Sequence, residues 1–372
     1  QKNKILNEKR EKIKKSSLPL QTKVVKLLED CKKYGTEPFA ILARFGFFGS
    51  ILMKSLLKIK LISDKEYNDF FNSIRTVATD FVYDTNRINI NGFNKENFLK
   101  KYGHLRPGTY DINSKSYMEN FNNYINTNNI KKHNQIISKE YKFSLKTKKN
   151  IQSLIDKLEL EISVDSMLLF VKKATEAREF SKFEFSKNLS LAIDYMIQLG
   201  DDFGISRTDF AFCNLNSILS LLNGSVSSNI SNEIFNQIEY NKKKHLLTCA
   251  LKLPELIFSP KDIYGFYYEN SKPNYITQLC LEGEIACLSD DEIDIAEKIV
   301  VIENADPGYD WVFSHKIKGL ITKFGGAASH MAIRCAEFGL PAAIGCGAQF
   351  FDELNNGDFI QLDCLNQRKN KL

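Results

Sequence analysis

Gly325-Gly-Ala-Ala-Ser-His330-Met-Ala-Ile-Arg-Cys-Ala-Glu-Phe-Gly339-Leu-Pro341 is the stretch on which the fold turns. The apolar run just before it, Gly319-Leu-Ile-Thr322, reads as a strand, and Gly325 and Gly326 let the backbone turn tightly behind it. Ser329 suits an N-cap, and Ala332, Ile333 and Ala336 predict the buried stripe of a short helix. Gly339 ends that helix and Pro341 prevents its resumption. His330 therefore falls in the first turn, beside amides without intrahelical partners and at the positive end of the dipole, where anions bind. The same dipole disfavours an imidazolium and keeps the ring neutral and nucleophilic near neutral pH. Phosphorylated on nitrogen, the ring becomes an anion that those amides stabilise. On these residues alone two uses stay open: a capping or packing histidine, and a transient phosphoryl carrier.

Around this stretch, short apolar runs alternate with turns: Ile285–Leu288, Ile299–Ile302, Ala342–Ile344 and Phe359–Leu362, with a turn at Asn356-Gly-Asp358. The texture begins after Pro254 and Pro260, and before it the chain reads as helical. Val24, Leu27, Leu28 and Cys31 repeat at i, i+3, i+4, i+7, as do Ile151, Leu154, Ile155 and Leu158. Asp165 is placed as the cap of a long helix running toward Tyr195, and Ser206-Arg-Thr-Asp209 as a capping box whose helix ends near Gly224. Residues 85–115 interrupt the pattern at Asn91-Gly92 and Pro107-Gly108. A boundary near 268 gives an α+β multidomain chain, with a largely α-helical substrate-binding domain over 1–268 and a small α/β domain over 269–372.

Composition narrows the function. The 372 residues are 43% hydrophobic and 26% charged, enough for two or three cored domains of ordinary globular type. The formal net charge is +6, but the first fifteen residues hold seven Lys or Arg against two Glu, so the rest of the chain carries only +1. A near-neutral body lacks the basic stripe of a nucleic-acid binder, and no nucleic-acid partner is expected. No membrane partner is expected either, because the longest uncharged stretch, Phe210–Asn232, is crowded with Asn and Ser. The opening residues lack a signal peptide's apolar segment, and the eight cysteines form no C-x-x-C pair. Reduced thiols in the cytoplasm are expected. The five histidines are equally dispersed, so no metal site is expected. The chain opens on Gln rather than Met and reads as a piece of a longer polypeptide.

The His330 stretch resembles the phosphohistidine swivelling domain of the PEP-utilising enzymes, whose signature is approximately G-G-x-x-[ST]-H-x-A-I-x-A-R-x-x-G-I-P. Gly325, Gly326, Ser329, His330, Ala332, Ile333, Gly339 and Pro341 match it. Asn304-Ala-Asp-Pro-Gly308, Gly319–Thr322 and Gly357-Asp358 sit where the family places them. The resemblance implies that His330 is the catalytic phosphoryl carrier, supported at its phosphate by Gly325, Gly326, Ser329 and Arg334. There are two departures. Ala328 stands where some dikinases carry a regulatory threonine, and Ala336 stands where the family has its Arg. Arg334 lies one helical turn from His330, either assisting the phosphate or solvated.

In that family an ATP-grasp domain phosphorylates the histidine, whose domain then swings to a second active site. Phosphoenolpyruvate synthases and sugar phosphotransferase Enzyme I place a TIM barrel after the histidine domain. No such barrel follows His330 in this chain, which ranks pyruvate chemistry lower. A helical domain followed by the histidine domain resembles rifampicin phosphotransferase. Lys101-Tyr-Gly-His104-Leu-Arg106-Pro-Gly-Thr-Tyr110-Asp111 is similar to its K-Y-G-H-R-G-P-x-E-x-D segment, and Arg178-Glu-Phe-Ser-Lys182 to its R-E-x-x-[KR] helix. Ser329–Glu337 with Ala342–Cys346 resembles a narrower group, the bacterial L-glutamine kinases that begin capsular phosphoramidate synthesis. Those enzymes split ATP to AMP and phosphate while phosphorylating the amide nitrogen of glutamine.

A glutamine acceptor implies Arg106 for its carboxylate, Asp111 for its ammonium, and His104 or Tyr110 for proton exchange at the amide. Arg178 is a further substrate candidate. The alternatives are a structural turn held by Arg106–Asp111 pairing and an Arg178–Glu179 salt bridge within the helix. Phe45, Phe47 and Phe48, near Arg44, are expected in the core.

The expected protein is thus the C-terminal portion of an ATP-dependent dikinase-type phosphotransferase, with L-glutamine or another small molecule as acceptor. ATP and Mg²⁺ would bind mainly in an N-terminal ATP-grasp domain of the same polypeptide, without which this portion is inactive. Two other classes stay in play: an antibiotic, other small-molecule or phosphoenolpyruvate-synthase-like phosphotransferase, and a non-enzymatic phosphocarrier module.

Overall fold

Among the described residues every strand lies between Asn274 and Lys371, and what precedes is helical or irregular. The structure, a computed structural model, describes residues 1–88, 94–125, 140–216, 219, 230–251, 253–254, 257–265, 271–288, 294–305, 307–327 and 329–371. Two compact units divide the chain. One comprises Gln1–Tyr110, Ser116–Glu119 and Ile130–Met196; the other comprises Asp111–Lys115, Asn120–Asn129 and Ile197–Leu372.

The first unit is built from helices Lys2–Lys15, Leu20–Cys31, Glu37–Lys58, Asp64–Asn72, Val77–Asn86, Lys95–Tyr102, Leu145–Lys157 and most of Val164–Asp202. The apolar spacing predicted several of them: Val24, Leu27 and Cys31 are buried, as are Ile151 and Ile155. The long helix starts at Val164, two residues earlier than a cap at Asp165 implied. Ser163 caps it by accepting the Ser166 amide at 3.1 Å, while Asp165 pairs with Lys148. One core gathers Met53, Leu56, Phe70, Ile151, Met167 and Val171; another seats Leu6 and Cys31 against Phe185.

Phe45, Phe47 and Phe48 are not in either core. They are 47%, 61% and 53% exposed on the Glu37–Lys58 helix, whose buried side is made by Gly46, Gly49, Met53 and Leu56. The glycines explain the inversion, because they let the helix approach Arg178 and Val171 closely and turn the aromatic residues outward. The continuous helical run Leu20–Lys58 is long and apolar enough to cross a membrane by length and composition alone. Arg44 and Lys54 break its uncharged stretches, so a search for uncharged segments passes over it.

In the second unit, seven strands form one sheet: β1 Asn274–Ile276, β2 Cys280–Cys287, β3 Ile299–Asn304, β4 Gly319–Phe324, β5 Ala342–Ile344, β6 Phe359–Asp363 and β7 Arg368–Lys371. Their order is β1-β5-β4-β3-β2-β6-β7. The β2–β3, β3–β4 and β4–β5 pairs are parallel; β1, β6 and β7 join antiparallel at the two sides. The parallel strands β2 to β5 read as short apolar runs, and antiparallel β6 as an alternation with Ile360 and Leu362 buried, which is why five of the seven were legible. Ala286, Val300, Ile302, Leu320 and Ala342 face one core; Ile285, Ile299, Val301, Ile321 and Ala343 face the other. The Ser206 cap is present, accepting the Asp209 amide, but its helix is only Arg207–Phe210. The expected end at Gly224 and the Asn91-Gly92 turn lie outside the described residues.

Candidate functional site

The site grows out of the end of β4. Thr322 is fully buried there; its hydroxyl donates to the Phe324 carbonyl at 2.9 Å and accepts the Gly345 amide at 3.0 Å. The Cys346 amide donates to the Thr322 carbonyl at 2.8 Å. One residue thereby ties the loop after β4 to the loop after β5. Gly325 has φ +134°, and a Cβ there would stand 2.9 Å from Ala305 Cβ and 3.0 Å from Ile344 Cγ2. Gly345 is also left-handed, φ +77°, and a Cβ on it would collide with the Gly325 carbonyl oxygen. The two loops touch backbone to backbone, and only glycine permits it.

After Gly326 the chain turns into the helix His330–Phe338. The Ser329 amide donates to the Gly326 carbonyl at 2.9 Å, and the Ser329 hydroxyl accepts the Ala332 amide at 3.4 Å. Gly339, with φ +63°, closes the helix in the left-handed conformation, as its sequence position predicted. The backbone of His330 thus opens a nine-residue helix; its side chain and residue Ala328 lie outside what the structure describes. A cap at Ser329 satisfies one first-turn amide and leaves the helix start positively polarised toward the loop.

The buried stripe of this helix differs from the expected one. Met331, Ala332 and Cys335 are 0–1% exposed, whereas Ile333 is 41% exposed and Ala336 is also exposed. The stripe begins one residue earlier because Met331 enters the core beside Val312 and Leu320. Arg334 belongs to the buried side too. It is 3% exposed, 3.7 Å from Asp310 Oδ1 in the 3₁₀ segment Pro307–Ser314, and its guanidinium lies over the Phe338 ring. Burial pushes the Cys335 thiol far up and the Cys346 thiol to about 11, so neither is a nucleophile for this loop.

The candidate substrate residues fall into separate environments. Arg106 is buried, with Nε donating to Ser190 Oγ and its other nitrogens paired with Glu119 and Asp194. Tyr110 is 70% exposed, and Asp111, in the other compact unit, accepts the Asn113 amide. Arg178 pairs with Glu179 at 2.9 Å and lies over Phe47. His104 sits edge-on to Phe183, with its Nε2 buried and without a partner among the described residues. Burial, then the nearby Lys187 and Arg10 charges, hold its imidazole well below the ordinary histidine value.

Around His104 lies a buried polar seam that the sequence reading missed. Arg10 donates to Asn188 Oδ1 at 3.0 Å, and Asn7 donates to Glu184 Oε2 at 2.6 Å. Positions 3, 7 and 10 on one helix and 181, 184 and 188 on another repeat polar residues at helical spacing. That signal was present, yet it reads identically on a solvated face.

Comparison with known proteins meets this geometry at the loop. Residues 295–367 match the family described as PEP-utilising enzyme, mobile domain. This segment contains β3, the Asp310 segment, β4, the His330 helix, β5 and β6. The match supports a phosphotransfer role within the PEP-utilising enzymes, and hence a transferase. No curated protein matches the chain. The solution NMR structure of a UPF0107 protein is similar to it at 17% identity, covering 27% of this chain and 98% of that one, with a TM-score of 0.22, too low to establish a shared fold. Among the described residues, no group of three or more His, Cys, Asp or Glu could hold a metal ion.

Proposed function

We propose that the chain is the downstream part of an ATP-dependent phosphotransferase in which His330 carries the phosphoryl group to a small acceptor, the amide nitrogen of L-glutamine. The observation that carries the relay is the capped helix start at Ser329-His330, delivered by a loop that requires glycine at 325 against Gly345, within the mobile-domain match. A ring nitrogen of His330 attacks an ATP-derived phosphoryl group as nucleophile, and the same nitrogen leaves when the acceptor takes the group. Between the two steps the helix amides stabilise the phosphorylated ring's negative charge, and Ser329 holds that first turn in register. Glutamine as acceptor rests on the resemblance of Ser329–Glu337 and Ala342–Cys346 to glutamine kinases.

ATP and Mg²⁺ belong in an ATP-grasp domain of the same polypeptide, and bound Mg·ATP would supply the phosphoryl donor. The chain's own task is to position His330, exclude competing nucleophiles and present the acceptor. The test uses the complete protein with Mg·ATP and glutamine. Continuous AMP release is expected only when glutamine is present; without it the protein is expected to release at most one AMP per chain and to hold an acid-labile, alkali-stable phosphoryl group that His330→Asn abolishes. AMP formation that survives His330→Asn overturns the relay. A phosphorylated His330 that ignores glutamine overturns the acceptor alone.

A further inference from the structure

Burial raises Cys31 and Cys213 to about 11, and it also lifts Cys287, Cys335, Cys346 and Cys364. Cys280 is exposed but is raised as well, by desolvation and by the carboxylates of Asp363 and Glu282. Cys249 has an imidazole within reach. It is exposed in the last turn of the helix Ile230–Cys249, and its Sγ lies 3.4 Å from Nε2 of His245, one turn earlier.

The imidazole is held rather than swinging freely. Its ring packs edge-on against Phe212 at 5.4 Å, and the Phe212 carbonyl accepts a hydrogen bond at 2.7 Å from Asn241, on the same helix as His245. The place of Cys249 near a helix C-terminus works against a thiolate, since that end of the dipole is negative. Any activation must therefore come from the imidazole.

We propose that Cys249 is a thiol-modification site of this chain, activated by His245 and reactive toward small-molecule disulfides. The thiol proton passes to Nε2 of His245, and the thiolate attacks one sulfur of the disulfide. A new S–S bond to Cys249 forms as the small molecule's own S–S bond breaks, and its second sulfur departs as thiolate. Cys249 is oxidised to the mixed-disulfide level while the departing sulfur is reduced. The site does not depend on the phosphoryl relay.

The test treats the folded chain with a substoichiometric amount of 5,5′-dithiobis(2-nitrobenzoate) and follows both release of the chromophoric thiolate and the labelled peptide by mass spectrometry. The expected result is a fast phase in which the peptide containing Cys249 is labelled first. Cys249→Ser should remove that phase. His245→Gln should slow it about tenfold, less than a buried general base provides because both groups are solvated. Both positions are exposed, so an unchanged melting temperature is expected and separates reactivity from misfolding. Prior labelling of Cys280 or Cys213, or an unaltered rate in His245→Gln, overturns the proposal.

Discussion

The Thr322 hydroxyl accepts the Gly345 amide at 3.0 Å, so a single buried side chain fastens the loop entering the His330 helix to the loop leaving β5. Thr322→Val keeps the shape and removes the hydroxyl, leaving the Gly345 amide and the Phe324 carbonyl without it. The expected cost is about 1–3 kcal/mol, read as a lower urea midpoint at unchanged m. Thr322→Ser should recover most of the loss, because it keeps the oxygen and gives up only a methyl. Equal stability of Thr322→Val and wild type would mean the two groups find other partners.

Gly325 and Gly326 are adjacent in sequence and opposite in constraint. Gly325 has φ +134° with Ala305 and Ile344 at its Cα, while a Cβ on Gly326 meets nothing within 4 Å. Gly325→Ala is expected to destabilise by more than about 2 kcal/mol, combining backbone strain with a clash. Gly326→Ala should stay within about 0.5 kcal/mol. Thermal denaturation of both variants separates them. If Gly326→Ala nevertheless abolishes His330 phosphorylation at unchanged stability, that glycine keeps space clear for the phosphoryl group.

Much of this loop was legible in the sequence, because glycine, serine and proline punctuate backbone at single positions. The Ser329 cap and the Gly339 stop both follow from that chemistry. Four strands were legible because buried parallel strands leave apolar runs, and β6 because Ile360 and Leu362 alternate with less buried neighbours. β1 and β7 were not: Asn274–Ile276 is three residues long, and Arg368–Lys371 is polar, so neither carries an apolar pattern. Side-chain partnerships across long separations were the least legible. Arg106 meets Asp194 through tertiary packing that no local spacing announces, and Phe45 turns outward because glycines on the opposite side of its helix make the close contact.

Arg334 and Asp310 form a buried pair, 3% and 5% exposed, that couples the His330 helix to the Pro307–Ser314 segment. Removing one charge takes a buried partner from the other, so Asp310→Leu and Arg334→Met should each cost about 3–5 kcal/mol. The double variant should cost much less than the sum, giving a coupling energy of about 1–3 kcal/mol in a double-mutant cycle. Strictly additive losses would show that the two side chains are held by different partners. Phosphorylation of His330 measured in the same four proteins tells whether the pair also sets the helix start.

His104 predicts how stability changes on acidification. Burial holds its folded-state pKa well below the ordinary 6.5, with Lys187 and Arg10 adding to the effect. Above 6.5 both folded and unfolded chains carry the neutral ring, and the residue contributes no pH dependence. Below it the unfolded chain binds a proton that the folded chain refuses, so stability falls with pH at a slope approaching about 1.4 kcal/mol per unit. His315, also lowered by burial, acts in the same direction. Chemical denaturation between pH 7 and pH 5 should therefore show a loss of up to about 2 kcal/mol per histidine. His104→Gln should flatten the curve by its share while His315 retains the remainder. A His104→Gln curve parallel to wild type would mean that the folded chain protonates His104 after all, and that the seam formed by Asn7, Arg10, Glu184 and Asn188 accommodates a third positive charge beside Arg10 and Lys187.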